Sequence, residues 1–146
     1  MIEAMLAVNG GRFRFDGALL ADLAPHVWPD AVQVRAQGQV ADVLAAYLHL
    51  PGLHQPGSAR GAVLALHRSG EAIGISAGTA QTAADVIAWI CAVSRVPAPH
   101  EAGHVLLIDW MPDPLQLSAN TTAEELLRLR AMLRSSFFTG EFGQKA

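Results

Sequence analysis

Positive charge is scarce in this chain and nowhere concentrated. Lysine occurs once, as Lys145, and the nine arginines are scattered without a basic run. At a net charge of −3 and without a basic run, no nucleic-acid partner is expected. Cysteine also occurs once, as Cys91, inside the apolar run Val86-Ile87-Ala88-Trp89-Ile90-Cys91-Ala92-Val93. A single thiol cannot make an intramolecular disulfide, and in this setting it reads as a small buried hydrophobe. No apolar stretch approaches the ~18 residues of a membrane span. The opening Met1-Ile2-Glu3-Ala4-Met5 lacks the basic region of a secretory signal. A cytoplasmic chain without membrane insertion is the expectation.

Charged residues of both signs make up only 16 % of the 146 residues, against 51 % hydrophobic, and mean hydropathy is +0.28. The chain can bury a core as one domain, or as two small subdomains sharing one. So few charges on so apolar a chain imply that a partner covers part of its apolar surface.

Along the chain, Met5–Phe15 reads as two short strands around an Asn9-Gly10-Gly11 hairpin turn, with Arg12-Phe13-Arg14-Phe15 alternating. Ala18–Leu23 reads as a helical turn ended by Pro25. Ala31-Val32-Gln33-Val34-Arg35 alternates as a strand, and Gly38 breaks it. Val40–Leu50 continues as a strand end or short helix. Ala62–Leu66 and Ala72–Ser76 bracket His67-Arg68-Ser69-Gly70-Glu71 as a hairpin. Gln81–Val93 carries Ala84, Ile87, Ala88 and Cys91 at helical spacing, and Val105–Ile108 is a short apolar run that fits a buried strand. Thr121 and Thr122, each three residues before Glu124 and Glu125, predict a capped helix with Leu126, Leu129 and Met132/Leu133 on its apolar face. Phe137, Phe138 and Phe142 follow as an aromatic tail, a candidate docking element because aromatic side chains anchor interfaces.

The sharpest motif is His100-Glu101-Ala102-Gly103-His104. On a helix, histidines at this spacing share a zinc ion, and the intervening Glu serves as general base. Glu124, 20 residues past His104, stands where one protease clan has its third ligand. The context favours another reading. Pro97 and Pro99 precede the motif, Gly103 and Val105 are poor helix formers, and Glu124 already has a place in the helix cap. The expectation is therefore no metal or other cofactor and no catalysis, with Gly103-His104 turning into the strand that follows.

Ordered blocks of the sequence resemble the CheW-like chemotaxis coupling proteins. They are the segment Val32-Gln33-Val34-Arg35-Ala36-Gln37-Gly38-Gln39-Val40 leading to Tyr47-Leu48-His49-Leu50-Pro51, the hairpin from Ala62 through Gly70 to Ile75, and Gly103-His104-Val105-Leu106-Leu107-Ile108-Asp109. Gln37 stands where the family has arginine, and Ala80–Val93 is more helical than that fold expects. The resemblance implies a mostly β (α+β) fold. Residues 1–118 would form two small SH3-like five-stranded barrels, and 119–146 would add a C-terminal helix and tail. It also implies a non-catalytic adaptor of a bacterial chemosensory pathway, bound to the histidine kinase CheA or a chemoreceptor. Val34, Arg35, Gln37, Gly38, Gln39 and Val40 would then line the partner surface.

Two alternatives stand beside it. One is a small zinc hydrolase built on His100, His104 and Glu124 with Glu101 as base. The other is a standalone α/β interaction, immunity or regulatory protein, with helix 81–94 crossing between parallel strands 72–76 and 104–109.

Overall fold

The computed structural model describes residues 1–51, 61–98 and 104–132. Seven strands form one sheet: β1 Ile2–Val8, β2 Val32–Arg35, β3 Leu44–Leu50, β4 Ala62–His67, β5 Ala72–Ala77, β6 Val105–Ile108 and β7 Leu115–Leu117. Their order is β2-β3-β4-β5-β1-β6-β7, and every pairing is antiparallel. Among the described residues, helices α1 (Gly17–Leu23), α2 (Ala80–Ser94) and α3 (residues 123–132) accompany the sheet, with short 3-10 turns at Ala24–His26 and Gly38–Asp42.

The fold is thus mostly β with helices, as expected, but the strands do not close into two barrels. The N-terminal strand β1 lies inside the sheet, between β5 and β6. Early and late parts of the chain therefore share one sheet and cannot separate into two closed units. The same placement corrects the first hairpin. Both edges of β1 are occupied, so Arg12–Phe15 has no strand to pair with and runs as irregular chain after the positive-φ turn at Gly10 and Gly11.

The α/β alternative is modified in a related way. β5 and β6 each pair antiparallel with β1, so they run parallel to one another with β1 between them. Helix α2 bridges them as a split crossover rather than a link between neighbouring strands.

Side chains alternate across a strand, and here the two faces differ. Leu6, Leu48, Leu50, Leu64, Leu66, Ile73 and Leu107 point to the helix side and are at most 3 % exposed. Helix α2 lies against β1, β4 and β5 there, with Ala83, Ala84, Val86, Ile87, Ile90 and Cys91 buried. The Thr79 hydroxyl caps it by accepting the Thr82 amide at 3.1 Å. It ends where Arg95 takes a left-handed φ of 53°, a common helix stop.

Helix α1 is capped by Asp16, whose carboxylate accepts the Leu19 amide, and it sinks Leu20 into the same core. Trp28 meets Trp89 edge to face at 5.0 Å, a favoured aromatic geometry. The expected cap of α3 is supplied by Thr122, which accepts the Glu125 amide at 3.1 Å. Leu126 of α3 is fully buried in the common core, whereas Met132 is 57 % exposed. Trp110 donates its indole N–H to the Leu126 carbonyl at 3.2 Å, and the Arg130 guanidinium lies 4.8 Å from the Trp110 ring centroid.

Cys91 is fully buried, and burial pushes its thiol up to about 12 from 9.0. The folded chain holds this proton more tightly than the unfolded one. The resulting stability is whole below pH 9 and is lost as pH rises toward 12. Relative to Cys91→Ala, the parent chain should lose roughly 1.4 kcal/mol per pH unit above 9. Urea unfolding across that range measures this; parallel curves for the two proteins would contradict it.

Candidate functional site

The sheet face opposite the helices is uncovered among the described residues. Most antiparallel sheets that face water carry polar side chains there. This one carries Glu3, His49, Ser76 and Gln116, but also Val63 and Ala65 on β4, Ala72 and Gly74 on β5, Met5 and Ala7 on β1, and Leu106 and Ile108 on β6, the apolar ones all partly exposed.

Cross-strand register turns this face into a trough. Tyr47 pairs with Ala65, Ala65 with Gly74, and Gly74 with Met5. A large side chain, two small ones and a second large one thus lie in line over about 14 Å, three strand spacings. The trough measures about 250 Å³. One end is polar: Ser76 pairs with Glu3 and donates to its carboxylate at 3.4 Å. Asp109, in a left-handed φ of 70° just after β6, is a second acidic group on the lining.

Gly74 has no backbone reason to be glycine, because it is not among the positive-φ residues. A Cβ there would meet the Ala65 Cβ at 3.4 Å, an ordinary contact. Mid-strand glycine costs stability, and what it secures here is the depth of the trough.

The residues expected to bind a partner lie to one side of this trough. Val34 and Arg35 are on β2, an edge of the sheet. Gln37, Gly38, Gln39 and Val40 are in the turn after it, where Gly38 takes φ +72°. All six are exposed. Phe137, Phe138 and Phe142 fall outside the described residues.

The metal alternative divides. His100 and Glu101 also lie outside the described residues. His104 does not continue a helix: its carbonyl accepts the Asn9 amide at 2.9 Å, extending the β1–β6 ladder, and its Nε2 lies 3.1 Å from the Asn9 side-chain nitrogen. Glu124 is exposed in the first turn of α3. Among the described residues, no three His, Cys, Asp or Glu side chains gather as a metal site.

The trough itself escaped the sequence reading. Its available signal was the composition of the outward positions: β4 (AVLALH) and β5 (AIGISA) keep period two yet place Ala, Val and Gly where polar residues belong.

No protein-family model, curated protein or solved structure matches the chain.

Proposed function

We propose that this chain is a non-catalytic protein-binding module, an adaptor or regulator that receives a partner segment on its uncovered sheet face. The observation that carries this reading is the large-small-small-large row Tyr47, Ala65, Gly74, Met5, beside a polar row of His49, Ser76 and Glu3 on the same face. At about 250 Å³ the trough is smaller than the ~300–1,000 Å³ usual for small-molecule sites, and it suits a side chain of a docked polypeptide. Among the described residues no histidine or cysteine lines it, and none offers an imidazole to the Ser76 hydroxyl beside Glu3. Glu3 and Asp109 favour a partner segment carrying Lys or Arg next to its apolar residues.

Coupling a receptor to a histidine kinase, as the resemblance implies, relies on an apolar groove between two barrels. An open sheet offers a face instead. A chemosensory kinase or receptor remains the first partner to try, and an immunity or regulatory target the second.

Gly74→Val fills the trough and adds β-propensity. It should leave the unfolding temperature unchanged or raised while weakening partner binding at least tenfold. Glu3→Lys should weaken binding as well. Titration of kinase, receptor and other candidate fragments onto the parent and both variants reads this. A partner bound equally by all three would count against the binding face.

A further inference from the structure

We propose that β2 pairs with β2 of a second copy of this chain, antiparallel about a two-fold axis through Val34, joining two seven-stranded sheets edge to edge. This goes beyond the binding face described above and does not rest on it.

The backbone sets the geometry. Ala36 donates its amide to the Ala45 carbonyl of β3. In an antiparallel ladder the inward-facing groups alternate, so Val34 and Val32 also turn their N–H and C=O toward β3. Gln33 and Arg35 turn theirs outward, and among the described residues no strand pairs with them. Natural edge strands are usually blunted by shortness, charged side chains, proline, a bulge or a covering element, and β2 carries the first two, in its four residues and Arg35. β2 (VQVR) has no proline or lysine, and its valines are 55 % and 45 % exposed. Val40 and Val43, in and after the following turn, are 46 % and 56 % exposed.

The strand is complementary to itself. About an axis through Val34, outward-facing Gln33 meets outward-facing Arg35 of the second copy, and the reverse, giving two reciprocal hydrogen-bonded pairs. The Gln33 side-chain carbonyl then stands opposite a guanidinium. Val34 meets its own counterpart, and Val32 meets Ala36, so no like charges oppose one another. An axis through Arg35 would set two guanidinium groups face to face, which disfavours that register. Such isologous pairing is the commonest route to a closed dimer. Four residues a side make a contact far smaller than the ~20–30 residues of a stable interface, so the dimer is a weak one and association should depend on concentration.

Two variants test this. Arg35→Pro removes one outward N–H, leaves the bonds to β3 in place and is tolerated at a sheet edge. In Val34→Cys the two engineered thiols would sit across a non-hydrogen-bonded pair, about 4.5 Å apart at Cα, within disulfide reach. The native Cys91 is buried and does not compete.

Sedimentation equilibrium should show the parent mass rising with concentration from 15.5 kDa toward twice that value, with Arg35→Pro remaining a monomer. Mild oxidation should cross-link Val34→Cys but not Val32→Cys or Gln33→Cys. Gly74→Val should dimerise like the parent, which separates this result from loss of the binding face. A monomeric parent, a dimer that survives Arg35→Pro, or cross-linking at position 32 or 33 in place of 34 would overturn the proposal.

Discussion

Gly70→Ala is expected to cost about 3 kcal/mol or more and to lower the unfolding temperature by roughly 10 °C. Gly70 closes the β4–β5 hairpin with φ +74°, a region where any Cβ is strained. Its amide donates to the His67 carbonyl at 3.0 Å, and its carbonyl accepts the Phe15 amide at 2.8 Å. The turn is therefore fastened to the irregular segment that leads into α1. A Cβ at Gly70 would lie 2.6 Å from the Phe15 carbonyl oxygen and 3.1 Å from the Arg14 Cβ. Neither the turn nor that segment can yield without breaking the bond between them.

Gly38 provides the control. Its φ is +72° but a Cβ there meets nothing within 4 Å, so Gly38→Ala should carry only the torsional cost, about 1 kcal/mol. Equal effects at the two sites, read by thermal and urea unfolding, would show that the close approach to Phe15 does not restrain the hairpin.

Ile87→Ala is expected to cost about 2–5 kcal/mol. Ile87 is fully buried at the middle of α2, the helix that covers β1, β4 and β5. Removing its side chain leaves a cavity between two rigid layers that cannot collapse easily. Asp85, two residues earlier, is exposed and takes a hydrogen bond from the Gln81 side chain at 3.0 Å. Asp85→Ala should stay within about 0.5 kcal/mol of the parent. A cost below about 1 kcal/mol for Ile87→Ala would mean that α2 does not seal this face of the sheet.

The elements that could be read from sequence are those whose signal is local. The 62–76 hairpin, the helix over Gln81–Val93, the short strand Val105–Ile108 and the Thr122 cap each rest on spacing within a few residues. Arg12–Phe15 misled because alternation shows that a segment can be a strand, not that a pairing edge is free. β1 already has β5 and β6 on its two sides. Strand β7 was missed because three residues after Pro112 and Pro114 are too few to show a period. The barrels failed for a long-range reason: nothing near Ile2–Val8 signals that it will sit between strands some 70 and 100 residues away.

The site was less legible still. Tyr47, Ala65, Gly74 and Met5 come from four different strands, and only their register makes them a row. The sparse charge did point to a covered apolar surface, and the two-sided apolar strands gave its location once the helices were seen to lie on one face. The histidine motif is a converse case. Of its five residues only His104 lies among the described ones, and there it extends a strand ladder.

Oxidative footprinting of Met5 tests the binding face most directly. Met5 forms one wall of the trough and is partly exposed, while Met132 on α3 is 57 % exposed and lies outside the trough lining. In the free chain both thioethers should oxidise. In complex with a partner, Met5 should be protected several-fold and Met132 should oxidise as before. Unchanged oxidation of Met5 in a saturated complex would place the partner elsewhere and contradict the assignment of the uncovered sheet face as the binding surface.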